Sequence, residues 1–221
     1  MESKPSIIEV EQSCLRLVVR AIQDSKDAAK IFREETDLPN DVAEDVTREA
    51  LATLGMSRIP IRLYGKIDYK RAAYLFLPER EVSVALMVDS KAEKDGNSAR
   101  IQMSQTSMEI RQRRAGKSLK IQGALPPFIE RGTVKMQTVT IIVKYIYSDL
   151  EKGSLLKQVK IACIPNGLLQ DDYNPTEDDT IWLAGPDAPS LKEEFRVRLS
   201  FSRLKAKAPW RVIGFSPTEG Q

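Results

Sequence analysis

Histidine is absent from all 221 residues. That removes Ser-His-Asp and Cys-His nucleophilic sites, imidazole metal centres and nuclease folds that depend on a histidine base. Acid–base chemistry at neutral pH is left to carboxylates, lysine, tyrosine or a metal-bound water. Cysteine is scarce. Cys14 and Cys163 stand far apart among apolar neighbours, which predicts buried free thiols in a reducing compartment and no disulfide or zinc framework. No apolar run approaches the roughly 20 residues of a membrane helix, and Met1-Glu2-Ser3-Lys4-Pro5 has no apolar signal core. A cytoplasmic location is the expectation. Neither sign of charge dominates: 34 basic against 31 acidic residues leave +3, so any nucleic-acid surface must be local.

What remains is a chain with 42% apolar and 29% charged residues, enough for a real core in a water-facing protein. With no repeats or low-complexity linkers, one domain over 1–221 is expected, mainly helical over 1–56 and sheet-rich over 57–221. Ile7, Ile8, Val10, Leu15, Val18, Ile22, Ala29 and Phe32 repeat at helical spacing across 6–34. A second helix starts near Asn40 and Asp41 and runs through Val42, Val46, Ala50 and Leu54 to Gly55. Strand patterns follow at Ile59–Leu63, Ile67–Leu77, Glu81–Ser90, Thr138–Tyr147, Gln158–Ile164 and Phe195–Phe201. The polar stretch 93–120 reads as a turn at Asp95-Gly96-Asn97 followed by a helix or irregular segment. Helices first and strands after predict an α+β architecture.

One strand carries chemistry. Val82-Ser83-Val84-Ala85-Leu86-Met87-Val88-Asp89-Ser90-Lys91 is an apolar run ending in an acid and, two places on, a lysine. Period-two alternation puts Asp89 and Lys91 on one face. Asp68 ends an earlier strand pattern and joins them if the two strands pair. Two carboxylates suit a hard divalent cation, and a neighbouring ammonium suits water activation at a phosphodiester. Acid-x-Lys also occurs at Glu2-x-Lys4 and Asp24-x-Lys26, but neither follows an apolar strand. The bland alternative is a strand end running into solvent.

In order along the chain, Ala43-Glu44-Asp45-Val46-Thr47, Gly65-Lys66-Ile67-Asp68-Tyr69-Lys70-Arg71, Val88-Asp89-Ser90-Lys91-Ala92, Gln102-Met103-Ser104-Gln105, Tyr173-Asn174-Pro175, Arg203-Leu204-Lys205 and Pro209-Trp210-Arg211 resemble the SfiI-type restriction endonucleases of the PD-(D/E)xK superfamily. The family's longer C-terminal tail is missing, and 106–135 does not match clearly.

The resemblance implies a restriction-endonuclease-like core, with a mixed central β-sheet flanked by helices. It also implies a Mg²⁺-dependent Type II enzyme cutting double-stranded DNA at an interrupted palindrome. It carries Asp68 and Asp89 over as metal ligands, Lys91 as the water-orienting residue and Glu44 as a supporting acid. A homodimer or homotetramer is implied, with a cognate DNA methyltransferase in the same system. Rival readings are a repair or junction nuclease on the same core, or a DNA-binding module without catalysis.

Arg100, Gln102, Ser104 and Gln105 follow the acidic strand and have base-reading chemistry. Arg111, Arg113, Arg114 and Lys117 suit phosphates, and Arg196, Arg198 and Arg203 could read or clamp DNA. Each of these charges is also what a solvated surface carries. Trp182, Trp210 and Phe215 read as core or interface, and Ile181-Trp182-Leu183 as a possible exposed second interface.

Overall fold

The structure, a computed structural model, describes residues 4–54, 57–58, 72–77, 82–94, 96–114, 116–184 and 197–217. Three helices come first: α1 (Lys4–Asp24), α2 (Ala28–Glu34) and α3 (Pro39–Ala52). The single long helix expected over 6–34 is two, separated at 25–27. In α1, Ile7, Val10, Cys14, Val18 and Ile22 recur every three or four residues and are buried, the stripe that packs a helix on a sheet. Proline at the start of α3 costs no hydrogen bond there.

The strands are β1 (Ser57–Arg58), β2 (Ala72–Leu77), β3 (Val82–Glu93), β4 (Ser98–Ile101), β5 (Glu109–Arg114), β6 (Lys117–Gln122), β7 (Phe128–Arg131), β8 (Val134–Asp149), β9 (Ser154–Ile164), β10 (Trp182–Ala184), β11 (Val197–Ser200) and β12 (Val212–Phe215). The described residues also form two short helices, α4 (Gln170–Tyr173) and α5 (Phe201–Lys207). The main sheet runs β1-β2-β3-β8-β9-β12, with β7 added on β8. It is mixed, since β3 and β8 are parallel and the other pairs antiparallel.

Alternation divides the two faces. Val84, Leu86, Val88, Val139, Ile141, Val143 and Tyr145 share a core with α1, α2 and α3. On the opposite face Ile142, Ala162, Ile164 and Val212 pack with Ala99, Ile101, Trp182, Val197 and Leu199 of a second sheet, ordered β10-β11-β4. Removing each large apolar side chain from water contributes about 1.5–3 kcal/mol, so both faces of β8 add stability. Among the described residues, no helix is long and apolar enough to cross a membrane.

Three expectations need correction. The 93–120 stretch forms strand β4 and the β5–β6 hairpin, not a helix. Its Ile110 and Gln112 face inward while Arg113 faces solvent, a period-two pattern hidden by the polar inward Gln112. Described strand structure at the Phe195–Phe201 pattern is β11, which ends at Ser200, whose hydroxyl accepts from the Arg203 amide and starts α5. Ile181 and Trp182, where β10 of the second sheet begins, are buried in the core it shares with the main sheet, so they offer no exposed interface. Ile59–Leu63, Asp68, Phe195 and Arg196 lie outside the described residues. Both cysteines are free and buried, as expected.

One buried ion pair ties the ends of the fold together. Glu11 of α1 and Arg211, next to β12, are both fully buried, with 2.5 Å between carboxylate and guanidinium. The Asn166 amide donates to the other Glu11 oxygen at 2.7 Å. Burial pushes the Glu11 carboxyl above its ordinary value, further than the Arg211 charge draws it down. The Arg211 guanidinium lies 4.5 Å from the ring centre of Tyr173 and 4.2 Å from that of Trp210, at cation–π distance.

Candidate active site

Strand β3 has buried alanine and methionine at 85 and 87, on one face, packed with Leu125, Ile129 and Met136. Two residues on, the same face turns polar at Asp89, Lys91 and Glu93, all half-buried. The partner strand β8 keeps β3 rigid here: Asp89 lies opposite Ile142, Lys91 opposite Lys144 and Glu93 opposite Ile146. Asp89 and Lys91 therefore stand at the end of an inner strand, held on fixed backbone.

The Lys91 ammonium lies 2.6 Å from Asp89 Oδ2. That oxygen is buried and accepts no properly directed hydrogen bond among the described residues. The contact is an ion pair. A buried carboxylate oxygen beside a cation has the hard-donor chemistry that a divalent ion takes. The described residues supply no cluster of three metal-ligating side chains, and the second expected ligand, Asp68, lies outside them.

Helix α3 comes up against the same strand end. Asn40 Oδ1 accepts from the Ala92 amide at 2.8 Å, next to Lys91. Glu44 is one helical turn beyond Asn40 and half-buried. The structure therefore gathers Asp89, Lys91 and the helix of Glu44 around one end of β3.

The candidate DNA-contacting residues fall into two groups. Arg100 on β4 and Arg198 on β11 lie directly opposite each other, Arg100 exposed and Arg198 half-buried. Gln102 is exposed and Ser104 half-buried, but Gln105 is buried and its side-chain oxygen accepts from the Gln102 amide at 3.0 Å. Gln105 thus closes a short 3₁₀ turn. The second group lies on and beside the hairpin. Arg111 donates to Glu109 and to the Pro175 carbonyl at 2.6 and 2.7 Å. Arg113 is exposed and pairs with Asp178 at 3.2 Å, Arg114 ends β5, and Lys117 is exposed at the start of β6. Arg203 donates to the Thr180 and Trp182 carbonyls and braces β10.

Two residues that sequence reasoning passed over belong to the same face. Lys144 is fully buried. Its ammonium donates to Glu93 Oε2 at 2.7 Å and to the Ser98 carbonyl. The signal was present: a lysine inside Ile141-Ile142-Val143-Lys144-Tyr145 needs a buried anion, and Glu93 is the acid two places beyond Lys91 on the paired strand.

The family described as Type II restriction enzyme SfiI matches residues 7–215. The Type II restriction enzyme SfiI of Streptomyces fimbriatus is 32% identical over 219 residues, covering 92% of this chain and 81% of that protein. Among solved structures, tetrameric restriction endonuclease SfiI bound to cognate DNA superposes with a TM-score of 0.85 at 29% identity, over 100% of this chain and 88% of that one. Restriction endonuclease BglI bound to its DNA recognition sequence matches at 0.74 and 18% identity, covering 96% and 91%. This second likeness is one of fold.

Proposed function

The chain belongs to the SfiI family of Type II restriction enzymes, and we propose from that footing that its cutting centre is the polar end of β3. Membership makes it a site-specific deoxyribonuclease that cleaves double-stranded DNA. The finer reading is Mg²⁺-dependent hydrolysis at an interrupted palindrome. Asp89 and Asp68 would hold the cation, Lys91 would serve the water, and Glu44 would support them. The observation that carries this reading is the Lys91 ammonium 2.6 Å from a buried Asp89 oxygen at the polar end of an apolar inner strand.

Held by Asp68 and Asp89, a divalent ion would supply Lewis-acid polarisation of the phosphate and a more acidic bound water. The protein's own residues do the rest. Lys91 keeps a positive charge beside the site where negative charge grows on the phosphoryl oxygens. It also donates a hydrogen bond that aims the attacking water along the line of the leaving oxygen. The rigid β3–β8 pairing fixes both side chains before DNA arrives, so no reorganisation is needed at the moment of reaction. Arg100 and Arg198 face DNA beside the centre, with Gln102 and Ser104 near them. Arg113, Arg114 and Lys117 of the hairpin take phosphates, where Arg113 exchanges its exposed Asp178 partner for DNA.

The DNA-bound relative is a tetramer, and the same assembly, two dimers each spanning one palindrome, is the reading for this chain. A single domain, a cytoplasmic setting and a cognate methyltransferase complete it. The test is direct. Phage DNA digested with Mg²⁺ and sequenced at its ends should give discrete fragments sharing one symmetric motif at a fixed offset. Random ends, or cutting confined to branched DNA, would refute the assignment.

A further inference from the structure

Glu93 extends the catalytic strand by one more step on the face of Asp89 and Lys91, and its carboxylate has two cationic neighbours. Beneath it, the fully buried Lys144 donates at 2.7 Å. Toward the second sheet, the same Oε2 lies 4.0 Å from Arg198 Nη1, and Arg198 donates to Ser98 Oγ at 3.2 Å. Ser98 returns to the first cation through its carbonyl, which accepts from Lys144. Lys160 adds a bond at 2.8 Å to the Gly96 carbonyl, so two lysines of the main sheet pin the turn after β3.

The charges explain what this arrangement does. Arg198 and Arg100 are directly opposed across β11 and β4, and like charges so placed repel. They need an anion. In the protein alone, Glu93 faces Arg198 from the catalytic strand. On DNA, a phosphodiester oxygen or a guanine edge is the stronger partner, because a guanidinium can bind either with two parallel hydrogen bonds.

We propose that Glu93 is a positioning residue that couples recognition to cutting. Its bond to Lys144 holds the end of β3 behind Asp89 and Lys91, and its charge restrains Arg198, which DNA must draw away from it. The inference rests on the placing of the cutting centre at that strand end.

Glu93→Gln keeps the shape and an oxygen for Lys144 while removing the charge that restrains Arg198. Binding is measured without metal, on a cognate duplex and on one altered at a single recognised base pair. Both duplexes are expected to bind more tightly than to the parent protein, the cognate one by about tenfold, because the restraint is lifted for either. In the Arg198→Gln background, Glu93→Gln should then change affinity no further. Salt dependence separates the two sources of the DNA anion: Arg198→Gln lowers the slope by about one if the partner is a phosphate and leaves it unchanged if it is a base edge.

Unchanged affinity in Glu93→Gln, or equal effects with and without Arg198, would overturn the coupling. So would parallel losses on both duplexes that simply follow a lowered unfolding midpoint. Should Glu93→Gln fail to fold, Arg198→Gln alone breaks the same contact from the solvent side, and unaltered affinity there would be equally fatal. Because these readouts involve no cutting, they stand apart from the assignment of Asp89 and Lys91, which fails only if variants at those positions still cleave.

Discussion

Glu11 and Arg211 are charged residues with no exposed surface, each the other's counter-ion at 2.5 Å. Removing one partner leaves a charge or its donors stranded. Arg211→Ala is therefore expected to cost about 3–5 kcal/mol, read from urea unfolding midpoints, whereas Glu11→Leu with Arg211→Met should come out near neutral. If the single variant lost less than about 1 kcal/mol, the pair would not be the fastener described. At this scale the sequence was legible where a side chain declares its environment alone. Asp89 and Lys91 follow an apolar run with strand alternation, and the structure puts them on one polar face. Lys144 and Arg211 were not legible in the same way. What makes a buried cation tolerable is a partner elsewhere in the chain, Glu93 or Glu11, and periodicity says nothing about which distant residues meet.

Among the elements, strands with strong β-branched runs were the readable ones. Thr138–Tyr147 lies inside β8 and Gln158–Ile164 inside β9, since burial on both faces demands continuous apolar sequence. The β5–β6 hairpin escaped because Gln112 sits on its inward face, while Arg111, Arg113 and Lys120 line its outward side. Its turn is closed by Gly116 with φ of 77°, a conformation glycine adopts without strain. If the hairpin grips the DNA backbone, Arg113→Gln with Arg114→Gln removes two phosphate contacts. The slope of log affinity against log salt should then flatten by about two. Identical slopes for parent and variant would return these arginines to an ordinary solvated surface, with Arg113 satisfied by Asp178.

At the scale of the whole molecule, a palindrome offers two equivalent half-sites, and cutting both strands takes two centres, so a two-fold dimer is the smallest competent unit. The tetrameric relative leads to a stronger expectation. Light scattering should weigh four chains, and a plasmid with two sites should be cut faster than one with a single site. A dimer indifferent to site number would remove the tetramer and leave the nuclease intact. The second interface does not lie at Ile181 and Trp182, which the fold buries. On the proposed reading Asp89 and Lys91 cut DNA and do not recognise it. The decisive experiment is single-turnover cleavage and metal-free binding of the cognate duplex, measured side by side for Asp89→Ala and Lys91→Ala. Cleavage should slow at least about 10²–10⁴-fold in each, with cognate affinity kept within a few-fold. Cleavage near the parent rate in either variant would contradict that reading.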